Sequence, residues 1–140
     1  MKELELRGLC GLGGSFLLGD LRDDDRLPGF VRPRRCHADP QRFHGEWQGE
    51  SRGAGICVIA NRIEGPGGGP KLHTHPYAEI FVIREGRALF TLGDARIEAS
   101  AGQILVAPAD LPHKFENLGP GPLETVDIHE NGTFVTTWLE

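Results

Sequence analysis

The stretch KLHTHPYAEIF, Lys71 to Phe81, sets His73, His75 and Glu79 close together, with Pro76 between the second and the third. Neutral imidazoles and a carboxylate are ordinary ligands of borderline divalent cations. His73 and His75 are two apart, so on a strand both point to one face. Glu79 has the same parity, but parity alone is not enough. Four residues of straight strand span ~13 Å, whereas ligand atoms sit only about 2.0–2.2 Å from an ion. The chain must therefore turn between His75 and Glu79. Pro76 supplies the break, because it has no N–H to donate and its φ is fixed. The expected arrangement is a strand ending at His73 and His75, a bend over Pro76 to Ala78, and a new strand starting at Glu79.

Outward from this stretch, short apolar runs alternate with Gly/Pro punctuation. GICVIANRI precedes the loop EGPGGGP at Glu64 to Pro70. That loop resembles a phosphate-cradling glycine loop only superficially, since no Gly-Lys-Ser/Thr and no helix pattern follows it. EIFVIREGRALFTLGDARIEA reads as three strands, with hairpin turns expected at Glu85-Gly86 and Gly93-Asp94. QILVAPA, HKFENL, LETVDIH and TFVTTWL follow. Strands at this spacing predict an all-β sandwich or barrel. His113 opens one of the later strands after the turn-rich APADLP and is the candidate for a fourth ligand. A lone histidine in a strand is ordinarily a hydrogen-bonded core residue; three histidines and a glutamate brought together suit an ion.

Two sets of fixed spacings resemble the cupin superfamily. Gly67, His73-Thr74-His75, Glu79 and Gly86 match its first motif, and Gly102, Pro108, His113 and Asn117 match its second. Asp110 stands where the family usually has glycine; aspartate tolerates the left-handed conformation such a turn needs. The resemblance covers roughly residues 50 to 130. It implies a double-stranded β-helix, or jelly-roll barrel, with one divalent transition metal held by His73, His75, Glu79 and His113. Iron, manganese, nickel, zinc, copper and cobalt all occur in such sites.

Other residues are expected in supporting roles. Glu79 is a candidate acid or base during turnover. His129, in VDIHE, belongs to neither motif and could act beside the metal in acid–base chemistry, although such a histidine is more often structural. Tyr77, Phe81, Phe90 and Phe115 are the expected pocket residues. Ile83 and Leu105 join the last three in lining the barrel. Ile80 and Val82 point away from Phe81 and Ile83. Apolar residues on both faces imply a cover for the outer one, which a partner subunit or the N-terminal strand would supply; a homodimer is expected.

Three histidines and one carboxylate leave about two positions open on an octahedral ion, whereas a structural zinc site is closed. The resulting expectation is a metal-dependent enzyme acting on a small oxygenated molecule, with dioxygenase, isomerase or lyase chemistry. The competing class is a non-catalytic module that senses or holds a small ligand. No helix-turn-helix pattern suggests a fused regulator.

Composition narrows the rest. The 140 residues suit one domain. Residues 1–34 read as an irregular N-terminal extension and 35–140 as a single barrel domain. Hydrophobic residues make up 39% and charged residues 25%, an ordinary balance. The net charge of −5 argues against a nucleic-acid partner. Cys10, Cys36 and Cys57 are odd in number and lack C-x-x-C spacing, so neither a disulfide framework nor a thiolate zinc site is expected. Cys57 reads as a core residue. No signal peptide or membrane span is read from the N-terminus, and a cytoplasmic location is expected.

Overall fold

The computed structural model describes residues 44–140. The expected extension at 1–34 lies outside the described residues, as do Cys10 and Cys36. Ten strands build two antiparallel five-stranded sheets. They are β1 (Gly45–Gln48), β2 (Cys57–Ile63), β3 (His73–Thr74), β4 (Glu79–Glu85), β5 (Arg87–Leu92), β6 (Ala95–Ser100), β7 (Ile104–Ala107), β8 (His113–Asn117), β9 (Leu123–His129) and β10 (Thr137–Trp138). One sheet runs β1-β2-β9-β4-β7 and the other β10-β3-β8-β5-β6. This is the jelly-roll architecture expected from the sequence. A short 3-10 turn at Glu50–Arg52 is the helical segment assigned among the described residues. No helix there is long and apolar enough to cross a membrane.

The bend at Pro76 carries the chain from one sheet to the other: β3 pairs with β8 and β10, and β4 with β7 and β9. The two expected hairpins differ in outcome. Gly93-Asp94 closes a two-residue hairpin, with Leu92 opposite Ala95 and Gly93 at φ 58°. Glu85-Gly86 does not close one, because β4 and β5 lie in different sheets. A tight turn fixes where the chain reverses, not which strands pair. Here the inward residues Ile83 and Ala88 pack within the shared core instead. Gly86 takes φ 82°, and an added Cβ would lie 2.3 Å from the Pro122 carbonyl oxygen, so both conformation and contact require glycine.

Inward-facing residues sort along the barrel axis. Phe81, Ile83, Ala88, Phe90, Phe115 and Leu123 are buried in one cluster, with Leu105 packed against it. The Phe81 and Phe90 rings are 5.1 Å apart and those of Phe90 and Phe115 5.2 Å apart. Cys57 is buried on β2, as expected. On the same strands, towards the other end, the inward positions turn polar: Glu79 on β4, His113 on β8, and Thr125, Asp127 and His129 on β9 are all buried.

The second motif holds loops at both ends of β8. Asp110 adopts φ 63°, the left-handed turn its position demanded, and its N–H donates to the His75 carbonyl at 2.8 Å. Asn117 Nδ2 donates to the Ile63 and Gly121 carbonyls, while its Oδ1 accepts the Gly119 N–H at 2.7 Å. Ile80 and Val82 face outward, as expected. They lie beside Ile128 and Val126 of β9 and beside Val106 and Ile104 of β7. Ile104 is 63% exposed and Val106 49%.

Candidate metal centre

His73, His75, Glu79 and His113 converge. One candidate ligand atom from each lies within 4.8 Å of the others, and all four residues are buried. β3 delivers His73, and His75 follows it before the bend. β4 opens on Glu79 and β8 on His113; His73 and His113 are directly opposed in the β3–β8 ladder. Opposed residues of an antiparallel pair share a face, which is why a side chain 40 positions downstream (73 to 113) meets the first motif.

Each histidine is held by its Nδ1. That atom lies 2.6 Å from the Lys71 carbonyl in His73, 2.7 Å from the Val135 carbonyl in His75 and 2.7 Å from the Leu111 carbonyl in His113. A carbonyl oxygen only accepts, so Nδ1 carries the hydrogen in all three rings. Their Nε2 atoms are left for the cluster. Orientation of a ligand imidazole through its other nitrogen is the usual support of a metal-binding histidine. The Nε2 of His75 is buried and makes no hydrogen bond, although Glu79 Oε2 lies 3.1 Å away. Three Nε2 atoms and a carboxylate, with an orphaned lone pair among them, fit a borderline divalent cation.

Electrostatics tie the group together. Burial alone would raise the pKa of Glu79. The imidazoles of His113, His129 and His75 around the carboxylate outweigh it and hold that pKa far below the usual range. Burial lowers the pKa of His73 and favours its neutral ring. His113 behaves differently. Burial opposes its charge, but Nε2 lies 2.8 Å from Glu79 Oε2 and the carboxylate raises its pKa. A ring that donates from both nitrogens is protonated, and a cation at Nε2 must displace that proton. Metal affinity should therefore rise with pH from 6 upward, by up to about tenfold per unit while His113 stays protonated, and then level off. Calorimetric titration from pH 6 to 8 measures this; a pH-independent affinity would contradict it.

His129 lies inside this group. Its Nε2 is 3.2 Å from Glu79 Oε1, on the oxygen opposite His113, and its Nδ1 is buried without a partner. No backbone carbonyl orients it. The structure therefore sets it apart from the three carbonyl-held rings and places it against the glutamate.

A cavity of about 310 Å³ opens beside the cluster and reaches His73, Glu79 and His129. β2 contributes Ile59, Asn61 and Ile63 to its wall, and β9 adds Asp127. Of the expected pocket residues, Phe115 lines it. Phe81 and Phe90 do not: they fill the core cluster, to which Phe115 also belongs. Tyr77 does not either. It stacks on His75 at 5.2 Å, and its hydroxyl donates to the Val135 carbonyl and accepts the Val135 N–H.

Two features escaped the sequence reading. The first is the C-terminal segment. TFVTTWL yields only a two-residue strand, β10, paired with β3. Val135 orients His75, Trp138 packs 5.1 Å from His73, and the Leu139 N–H donates to the Leu72 carbonyl. The second is Asp127. It is 3% exposed, and its Oδ2 accepts from Asn61 Nδ2 at 2.6 Å. Burial, then the charge of Glu79, push its pKa well up. The signal was an inverted alternation in LETVDIH, with Val126 and Ile128 pointing out while Thr125, Asp127 and His129 point in.

Similarity to known proteins agrees with this geometry. The cupin-domain family profile matches residues 63–129. An uncharacterised protein of Methanocaldococcus jannaschii is 39% identical over 67 residues, which cover 47% of this chain and 54% of that protein. The chain thus spans about half the length of this relative. A Klebsiella pneumoniae protein with a double-stranded β-helix domain superposes with TM-score 0.56 at 24% identity, over 61% of this chain and 76% of its own. A variant of Bacillus subtilis oxalate decarboxylase, an enzyme described with Mn(II) centres, gives TM-score 0.62 at 22% identity, over 68% of this chain and 27% of its own. The sheets, the two motifs and the profile match over residues 63–129 together support a small cupin-superfamily protein with a four-residue cluster suited to a metal ion.

Proposed function

We propose that this cupin is an enzyme that binds one divalent transition metal and acts on a small oxygenated organic molecule. The observation that carries this reading is the set of three Nδ1 atoms fixed by backbone carbonyls. They aim three Nε2 atoms at Glu79 beside an accessible cavity. His73, His75, His113 and Glu79 would hold the metal. When bound, it would supply Lewis-acid chemistry or, as iron, manganese, copper or nickel, oxygen activation. His129 steadies Glu79 through the carboxylate oxygen that His113 leaves free, and it reaches the cavity wall, where it can exchange a proton at Nε2. The apolar residues Ile59, Ile63 and Phe115 limit water around the reacting groups.

Among the reaction types open to such a site, oxygen-dependent cleavage of a diol is the one to test first. The protein would be loaded separately with iron, manganese, copper and nickel, and O₂ uptake followed on catechols and flavonols. Uptake that disappears in His75→Ala supports the dioxygenase form of the proposal. No uptake with any of these metals rules that form out and leaves isomerase or lyase chemistry. Tight metal binding with no turnover of any small substrate would favour the ligand-sensing reading instead.

The outer face formed by Ile80, Val82, Ile104 and Val106 fits a second copy of the chain, because so many adjacent apolar side chains on a monomer's surface mark an interaction site. Sedimentation should show a dimer that Val106→Glu converts to a monomer. A wild-type monomer at micromolar concentration would contradict this.

A further inference from the structure

Asp127 is a buried carboxyl that the fold satisfies on one side only. Oδ2 is held by Asn61, while Oδ1 is buried and has no partner. Native structures rarely leave such an atom unpaired without a reason. Asp127 and Asn61 both line the cavity that His73, Glu79 and His129 also reach. Thr125 also stands against the carboxyl, and Ile59, Ile63 and Phe115 make the wall around it largely apolar. A molecule that enters this cavity meets the His/Glu cluster and, on the β2–β9 wall, the Asp127–Asn61 pair.

We propose that Asp127, positioned by Asn61, selects the ligand of this cavity by hydrogen-bonding a hydroxyl of a small uncharged molecule. This rests on reading the cavity as the substrate pocket of the metal centre. A hydroxyl both donates and accepts, so it pairs with the Asp127 carboxyl in either protonation state. Away from the metal centre an anionic group is disfavoured, because Asp127 is acidic and no lysine or arginine among the described residues lines the wall beside it. At about 310 Å³ the cavity lies at the small end of ligand pockets, which suits a small molecule. The aromatic rings of Phe115, Phe134 and Trp138 suit a flat apolar body. A hydroxylated ring, with one edge towards the His/Glu cluster and a hydroxyl towards Asp127, satisfies all of these constraints.

The test uses the full chain loaded with Zn(II), which is redox-inactive and leaves a diol intact. Catechol is titrated calorimetrically, with glycolate as the anionic comparison. Asp127→Ala should weaken catechol binding by about tenfold or more, the loss of a buried hydrogen bond, whereas Asp127→Asn should stay within about threefold. Zinc uptake should be unchanged in both, and near-ultraviolet circular dichroism would show that both are folded. Asp127→Ala binding catechol as tightly as wild type would overturn the proposal, with a resident water then serving Oδ1. So would a parallel loss of zinc uptake or of folding in both variants, which would make Asp127 structural. Glycolate binding more tightly than catechol would overturn the uncharged class. Wild-type protein that takes up zinc but binds neither probe would overturn the proposal and leave the metal centre standing. Wild-type protein that takes up no zinc would remove the metal reading beneath it.

Discussion

A His75→Ala variant should lose tight metal binding, with affinity falling on the order of 100-fold or more. Removing a group that merely orients a metal ligand already costs about 10–100-fold, and here the donor atom itself disappears. His75 is 1% exposed, its Nδ1 is spent on the Val135 carbonyl, and its Nε2 is the orphaned lone pair of the cluster. Nothing nearby replaces it. His129 Nε2 sits on the far oxygen of Glu79 and lacks a carbonyl to fix its tautomer. Competition against a chromophoric chelator measures the loss. A variant that still bound one equivalent of metal as tightly as wild type would show that His75 is not a ligand.

A Phe90→Ala variant should lose about 3–5 kcal/mol of folding stability, the usual cost of deleting a buried aromatic ring. Phe90 is 0% exposed; Phe115 is its cross-strand neighbour, 5.2 Å away, and Phe81 reaches it from the opposite sheet at 5.1 Å. Three other members of the cluster, Ala88, Ala99 and Ala107, are small. They cannot extend into the space a ring vacates, so the cavity stays open. For a domain of this size the midpoint of thermal unfolding should fall by at least about 12 °C, read by circular dichroism on the metal-free protein. A fall within the noise of the measurement would mean that the core is not centred on these rings.

The fold and the four clustered residues were largely legible in the chain because each depended on local chemistry. Pro76 forces a break wherever it falls, and a break was the one way for Glu79 to reach His75. The left-handed turn at Asp110 could be read from its place in the second motif. What was not legible depended on tertiary neighbours. Glu85-Gly86 marks a turn in either arrangement, and only the pairing of β9 with β4 and of β8 with β5 makes it a corner between sheets. Phe81 and Phe115 have the same composition and the same inward parity. Both belong to the core cluster, and only the packing of their tertiary neighbours decides that Phe115 also lines the cavity. Val135 orients His75 through its carbonyl, a group every residue owns, so nothing in its side chain could announce the role. Asp127 was hidden by the habit of reading polar residues in a strand as solvent-facing. In β9 the apolar residues face outward and the polar ones face the site.

The central claim is that three specific imidazoles, each protonated on Nδ1, present Nε2 to a single ion together with Glu79. Long-range ¹H–¹⁵N correlation spectra of the histidine rings, recorded before and after one equivalent of Zn(II), test it most directly. The Nε2 resonances of His73, His75 and His113 should move into the metal-bound range together at one equivalent, with their Nδ1 atoms staying protonated, while His129 keeps an unligated ring. Saturation at one equivalent with His129 ligated in place of one of the three, or with the three rings unshifted, would contradict the account.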